Sequence, residues 1–344
     1  MSVKPITIIG GGLAGLTLGI GLRQRGVPVM IYEAGHYPRH KVCGEFISGE
    51  GREVLKRVGA LDALCGQTVE AATAMFVAGQ RRGPVRAISP PALCLSRFVL
   101  DASLARYFQV LGGELLQNQR WRNRVDVGTV LANGRQPQSQ ENGWIWFGLK
   151  VHARNVSLAA DLELHSLRQG YVGLCRLPEG VTNVCGIFRR RASGGQPSQD
   201  WRNLLRGPAD SVLHERLRSA ALDEESFCSV AGLGLSPRRA TMRDQCCIGD
   251  ALTMIAPVTG NGMSMALEAA ELAIEPLALY SRGNESWSQA QASIAETCDR
   301  AFARRLTWAR RLQKLLFMSA TGDCLAVLML RSEWLWRLFF TRTR

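Results

Sequence analysis

The chain has 344 residues, 46% of them hydrophobic, and a formal net charge of +13 at pH 7. That is enough apolar material for a full core in two interleaved domains, which excludes a disordered or fibrous chain. The positive charge is scattered from Arg23 to Arg344 with no zinc-finger spacing and no basic stretch interleaved with aromatics, so nucleic acid is not an expected partner; a basic surface suits an anionic cofactor, substrate or membrane surface instead.

The ten cysteines are irregularly spaced, with Cys246 and Cys247 adjacent, and neither a CxxC pair nor an HExxH occurs. No metal site is expected, and with no signal peptide legible, the thiols read as the reduced cysteines of a cytoplasmic protein. No apolar run reaches membrane-spanning length.

The first element is a short apolar strand, Ile6 to Ile9, that runs into Gly10, Gly11, Gly12, Leu13, Ala14 and Gly15. A helix follows from Leu13 to Gln24, closed by Gly26, and a second strand from Val27 to Tyr32 delivers Glu33 and Ala34. This is a βαβ unit with a GxGxxG turn. Gly10 permits the turn, Gly12 lets the backbone approach a pyrophosphate, and Gly15 lets helix and strand pack closely. The phosphates then meet the amides of Leu13 and Ala14 at the positive end of the helix. Glu33 is placed to accept from both ribose hydroxyls of an adenosine, and an acid there disfavours a 2′-phosphate, so the dinucleotide is NAD or FAD.

Alternating patterns at Ala71 to Val77, Trp144 to Val151, Tyr171 to Leu177 and Val181 to Phe188 predict a mostly antiparallel sheet, a second domain that covers the ligand and forms a substrate chamber. Between its pieces, Leu100, Leu104, Phe108 and Leu111 predict an amphipathic helix closed by Gly112 and Gly113, with Arg97 in its first turn. Positive charge there opposes the helix dipole, so either a phosphate partner or a solvated surface accounts for Arg97. Asn133 and Gly134 read as a two-residue hairpin turn. Gly194 to Ser198 mark a loop, and Trp201 to Leu222 read as helical.

Cys246 to Ile248 predict a short buried strand leading to Gly249 and Asp250, after which Pro257, Gly260, Asn261 and Gly262 open a long helix. This is a second glycine-rich helix start. A ligand reaching it from the first must be long and carry hydroxyls for Asp250, which fits the ribityl chain and isoalloxazine of FAD; the other reading makes Asp250 a helix cap. The final stretch, with Leu325, Val327, Leu328, Leu330, Trp334, Leu335, Trp336, Leu338, Phe339 and Phe340 flanked by Arg331, Arg337, Arg342 and Arg344, suits either an interfacial helix on a membrane surface or a helix docked on the protein's own core.

On the GGGLAG turn with Glu33, the SRFVLDASL stretch with Arg97, and GDALTMIAPVTGNG from Gly249 to Gly262, the chain resembles the flavoprotein superfamily of aromatic hydroxylases, geranylgeranyl reductases and flavin-dependent halogenases. The resemblance spans Ile6 to about Leu279. It implies that the first block holds the ADP part of FAD, Arg97 sits near its phosphates or ribityl chain, Asp250 binds ribityl oxygens, and the loop after Pro257 lines the isoalloxazine. Residues His40 to Phe46 look like the KxCGE loop of geranylgeranyl-reductase-like members, which would set Cys43 and Glu45 against the flavin as catalytic candidates; a small core cysteine and a surface acid are the other readings. Hydroxylases of the superfamily carry Asp-Gly where this chain has Asn133-Gly134, which leaves the docking of NAD(P)H open. Trp144 and Trp146 lack the Ile-Pro of a halogenase signature.

The expected architecture is α/β: an FAD-binding Rossmann-like domain from 1–66, 94–135 and 236–290, an inserted substrate domain from 67–93 and 136–235, and a helical segment from 291–344. The expected function is an FAD-dependent, NAD(P)H-linked monooxygenase of secondary metabolism acting on an aromatic or apolar small molecule. The alternative is a polyprenyl double-bond reductase; a halogenase, or a nucleotide-binding or membrane-adaptor protein without catalysis, ranks last.

Overall fold

The computed structural model describes residues 3–193, 200–317 and 331–343. The loop from Gly194 to Ser198 and the apolar residues Leu325 to Leu330 lie outside these.

The first sheet is parallel, in the order β7 (Glu114–Leu116), β2 (Val29–Tyr32), β1 (Ile6–Ile9), β8 (Thr129–Leu131). Its strands are nearly continuous apolar runs because both faces are covered. The helix α1 (Leu13–Arg23) is buried from Leu13 to Leu22. It lies between the first sheet and two other helices, and so carries no polar stripe. Those helices are α3 (Arg97–Val110), where the Ser96 hydroxyl caps the Phe98 amide at 3.1 Å, and α6 (Gly262–Arg282).

The second sheet has nine strands, in the order β13 (Ala221–Ala231), β9 (Trp144–Arg154), β12 (Thr182–Arg191), β11 (Gly170–Arg176), β10 (Leu162–Leu167), β4 (Val69–Ala78), β6 (Arg86–Cys94), β3 (Phe46–Ile47), with β5 (Arg81–Arg82) on β4. Every pair is antiparallel except β10 with β4. Strand alternation separates its faces. Leu149, Val151, Val184 and Phe188 pack one way with α4 (Trp201–Arg206) and α5 (Val212–Leu217), while Trp146, Tyr171 and Ile187 pack the other way, with Met254 and Val258 from the loop before α6. The remaining helices are α2 (Gly51–Arg57), α7 (Trp287–Leu316), which starts in a Ser286/Gln289 capping box, and α8 (Glu333–Arg342).

Two sequence expectations are corrected. Residues 201–222 are not one helix: Gly207 and Pro208 end α4, and the chain re-enters the second sheet at Ala221 as β13. Asn133-Gly134 is not a hairpin turn, because β8 pairs with β1 in parallel and not with a strand after the turn. Cys246 to Ile248 contribute a single parallel bridge, Leu131 to Cys247.

Candidate cofactor and active site

The turn after β1 is fixed by close approach. Gly10 has φ +109° and a Cβ there would lie 2.4 Å from the Ala132 carbonyl oxygen; a Cβ on Gly15 would lie 2.0 Å from the carbonyl oxygen of Gly10. Gly12 is different: nothing comes nearer to its Cβ position than Lys41 Nζ at 4.0 Å. Space therefore lies beside the one glycine that precedes the open end of α1, where the first amides have no partner within the helix.

Glu33 is buried at the end of β2. Its Oε2 accepts from the Gly11 amide at 2.9 Å and its Oε1 from the Gly35 amide and Arg39 Nη2, both at 2.7 Å, with Ala34 in the turn between. The Tyr37 hydroxyl donates to the Gly11 carbonyl. Burial, with the charges of Glu33 and Asp101 beside it, pushes the Tyr37 phenol far above its ordinary range, so it remains a donor.

Arg97 has a carboxylate partner in its own helix. Its Nε and Nη2 meet the fully buried Asp101 at 2.7 and 2.9 Å, and Lys41 Nζ meets the same carboxylate at 2.7 Å. Burial works against ionising Asp101, but Arg97 and Lys41 outweigh it and hold the carboxyl below the usual range. Burial lowers the Lys41 ammonium from its ordinary value against the pull of Asp101, and its Nζ brings this Arg97–Asp101–Lys41 group beside Gly12.

The two glycine-rich helix starts are in contact. Gly249, at φ +61°, sits on α1 so closely that a Cβ would lie 2.8 Å from that of Ala14. Asp250 follows it in a recess: much of its surface is open to water, yet protein surrounds the carboxyl and raises it to about 6, against the pull of Arg97 and Arg135. After Pro257, Gly260 (φ +63°) lies against the ring of Phe46, and the buried Asn261 donates from Nδ2 to the Thr343 carbonyl at 2.8 Å while its Oδ1 has no partner. Gly262 then begins α6.

The loop carrying Cys43 and Glu45 joins these pieces to the second sheet. Glu45 is fully buried with φ +61°. Its Oε2 is 2.6 Å from His152 Nε2, and its Oε1 accepts from the Arg97 amide at 2.9 Å and lies 3.5 Å from Lys150 Nζ. Burial pulls the Glu45 carboxyl up, but the His152 hydrogen bond and Lys150 outweigh it and leave it below the ordinary value. Lys150 Nζ is also 3.0 Å from His40 Nδ1, and burial beside that cation lowers His40 to about 4. Cys43 is half-buried with its carbonyl accepting from Asn183 Nδ2 at 2.9 Å; burial pushes its thiol up against the pull of Arg97, so it is a neutral thiol and a poor nucleophile at neutral pH. Every cysteine among the described residues is a free thiol, and no cluster of metal ligands occurs among them.

His40 and Lys41 of the KxCGE-like loop belong to this site, together with Asp101, Lys150, His152 and Asn183, which were not singled out from the sequence. One signal was available. The alternate positions Trp144, Trp146, Gly148, Lys150 and His152 of β9 form a single face, and a lysine with a histidine beside it on one face of an otherwise apolar strand requires a buried polar or charged partner.

These residues fit FAD: open space beside Gly12, the basic side chains of Arg97 and Lys41 next to it, an elevated carboxyl at Asp250 that gains by accepting hydroxyl hydrogen bonds, and an orphaned buried amide oxygen at Asn261.

Known proteins share parts of the sequence and the fold. Residues 8–41 match the NAD(P)-binding Rossmann-like domain family and residues 211–297 match the squalene epoxidase family. The chain is 24% identical over 337 residues to conditioned medium factor receptor 1 of Dictyostelium discoideum, a match covering 83% of this chain; it spans 64% of that relative's length. Among solved structures, a geranylgeranyl bacteriochlorophyll reductase-like protein of Thermoplasma acidophilum superposes with a TM-score of 0.74 at 18% identity, covering 96% of this chain and 92% of that one. The myxobacterial chondrochloren halogenase CndH superposes with a TM-score of 0.73 at 19% identity, covering 100% of this chain and 91% of that one. The chain shares its fold with these structures: a Rossmann-like domain, a large mixed sheet and a helical C-terminus.

Proposed function

We propose that the protein is an FAD-dependent oxidoreductase, with the ADP part of FAD on the Gly10 to Gly15 turn and Glu33, the ribityl chain at Asp250, and the ring system against the loop from Pro257 to Gly262. The observation that carries this reading is the contact of Gly249 with Ala14, which sets two helix starts far apart in sequence side by side at one recess. FAD, when bound, supplies the redox chemistry, with NAD(P)H as its reductant.

The chain's own residues bind, exclude water and hold protons. His152 Nε2 and Glu45 are hydrogen-bonded at 2.6 Å, Lys150 lies 3.5 Å from the same carboxylate, and the Cys43 thiol stays protonated. Trp146, Tyr171 and Ile187, packed with Met254 and Val258, supply an apolar face of the second sheet suited to an aromatic or apolar substrate. The reaction we put forward is NAD(P)H-linked monooxygenation of such a molecule in secondary metabolism. The squalene epoxidase match supports it, since that family's name joins oxygen insertion to an apolar alkene. The second reading, reduction of a polyprenyl double bond, is favoured by the KVCGE loop, whose Glu45 and Phe46 lie against the Gly260 turn and the second sheet.

Following NAD(P)H oxidation and product with phenolic and polyprenyl candidates, in air and under anaerobiosis, separates the two. An oxygenated product that forms only with oxygen is the expected result. A saturated product under strict anaerobiosis, once the flavin is reduced, replaces the monooxygenase with the reductase.

A further inference from the structure

The apolar cluster around Trp146, Tyr171 and Ile187 contains polar groups that the reading above does not use. In the second sheet Trp146 pairs with Arg189 and Tyr171 with Ile187, so Arg189, two residues beyond Ile187, stands on the same face as Tyr171. Phe317, at the end of α7, packs into this cluster, its ring 4.8 Å from that of Trp146 and 6.3 Å from that of Tyr171.

Three side chains here have unmatched hydrogen-bonding atoms. The Tyr171 hydroxyl, on a residue only 7% exposed, has no partner. The Arg189 guanidinium lies 4.2 Å from the Trp144 ring and 4.8 Å from that of Phe317; its Nη2 donates to the Phe317 carbonyl, and its buried Nε has no partner. Gln313 is 6% exposed with both amide atoms unpartnered, and it precedes Phe317 by one helical turn, on the same face of α7. Buried polar groups in folded proteins are almost always paired, so unmatched ones on Tyr171 and Arg189, neighbours on one sheet face, and on Gln313, one helical turn before Phe317, mark the place of a ligand. They offer three donors, one of them cationic, and the Gln313 amide oxygen and Tyr171 hydroxyl oxygen also accept. A neutral hydrocarbon satisfies none of these, whereas a carboxylate, with about four lone-pair sites, accepts from all three donors.

We infer that Tyr171, Arg189 and Gln313 bind the carboxylate of an aromatic or alkyl acid whose body lies along Trp146 and Ile187 toward Met254 and Val258. The inference rests on the flavin reading, because it names the substrate class of that same apolar face. In the structure the Phe317 carbonyl holds the position on Arg189 that a ligand oxygen would take. The aromatic rings around the guanidinium exclude water and strengthen the charge-assisted hydrogen bonds.

The test is a calorimetric titration of the full-length protein, with and without FAD, using laurate and 4-phenylbutanoate and, as neutral counterparts, dodecan-1-ol and 4-phenylbutan-1-ol. Each acid is expected to bind at least about tenfold more tightly than its alcohol, the worth of a hydrogen bond to a charged group. Arg189→Met is expected to erase the preference. Tyr171→Phe, which removes one oxygen and leaves the ring, is expected to weaken the acids about threefold or more without changing the alcohols, and it decides the matter if Arg189→Met does not fold. Alcohols that bind as tightly as the acids, or no binding of either acid, overturn the inference. FAD uptake is read separately by absorbance: uptake without acid preference leaves the flavin reading standing and removes this one, and acid preference without uptake does the reverse.

Discussion

A Cβ on Gly249 would lie 2.8 Å from the Cβ of Ala14, so the turn that delivers Asp250 is packed directly on the first turn of α1. This contact places Asp250 in a recess that raises its carboxyl to about 6. The unfolded chain ionises an aspartate near 3.9, so the folded protein holds the proton longer. Below about pH 3.9 both states are protonated and nothing is lost; as pH rises from there towards 6 the unfolded chain ionises while the folded carboxyl still holds its proton, and stability falls. Asp250→Asn is therefore expected to raise the melting temperature of the FAD-free protein at pH 8, with the advantage vanishing near pH 4, and to weaken FAD binding. Melting curves at the two pH values, with an FAD titration, check both signs.

Asp101 serves two cations at once, Arg97 and Lys41, and is fully buried. Asp101→Asn leaves Arg97 with an uncompensated buried charge, and breaking such a group costs about 3–5 kcal/mol. Urea unfolding should show a loss of that order, while a substitution of the exposed Arg124 should show none.

The Glu45 carboxyl is held below its ordinary value, so its contribution to stability is present above the unfolded value, about 4.3, and is lost as pH falls through the lower folded one. Glu45→Gln is expected to destabilise the protein at pH 7 and to flatten the acid limb of its stability curve, leaving the part due to Asp101. The same variant should slow turnover more than substrate binding, because His152 loses the carboxylate that fixes its ring orientation. Acid unfolding followed by circular dichroism, beside kcat and KM, measures both.

The parts of this site that were legible in the sequence are those governed by local geometry. The spacing of Gly10, Gly12 and Gly15 after an apolar strand dictates a turn and a helix start, and Pro257 to Gly262 does the same for α6. The ion network was not legible, because Glu45 meets His152 and Lys150 more than a hundred residues away and only strand pairing decides which alternate face of β9 looks inward. Arg97 suggested a phosphate because charge at a helix start looks unpaired in sequence; its partner Asp101, one turn later, was there to be seen. The stretch after Trp201 read as helix on apolar spacing alone, but Gly207-Pro208 stops α4, and the acidic run from Asp223 to Glu225 coincides with an irregularity in the pairing of β13 with β9.

The segment α8 is docked on the protein through Trp336, whose ring lies 5.2 Å from the Arg86 guanidinium, while Glu333 bonds the same arginine at 2.9 Å and Trp334 is 69% exposed. Its apolar face is thus used internally. Trp336→Ala is expected to cost about 2 kcal/mol and Trp334→Ser close to nothing. Sedimentation with anionic and with neutral vesicles is expected to be equally low for the full chain. Strong binding to anionic vesicles that Trp334→Ser abolishes would assign this helix to a membrane surface.

The account turns on Gly12, because its neighbours separate fold from ligand. Gly10 and Gly15 have backbone oxygens where a side chain would go, but the Cβ position of Gly12 meets nothing nearer than 4.0 Å. Gly12→Val should therefore fold with a melting temperature near that of the wild type and lose FAD, whereas Gly15→Ala should lose the fold. The deciding measurement is the FAD content and FAD dissociation constant of purified Gly12→Val beside the wild type. A folded variant whose affinity is at least about a hundredfold weaker is the predicted result. A folded Gly12→Val that binds FAD as tightly as the wild type would contradict the placement of the cofactor on this turn.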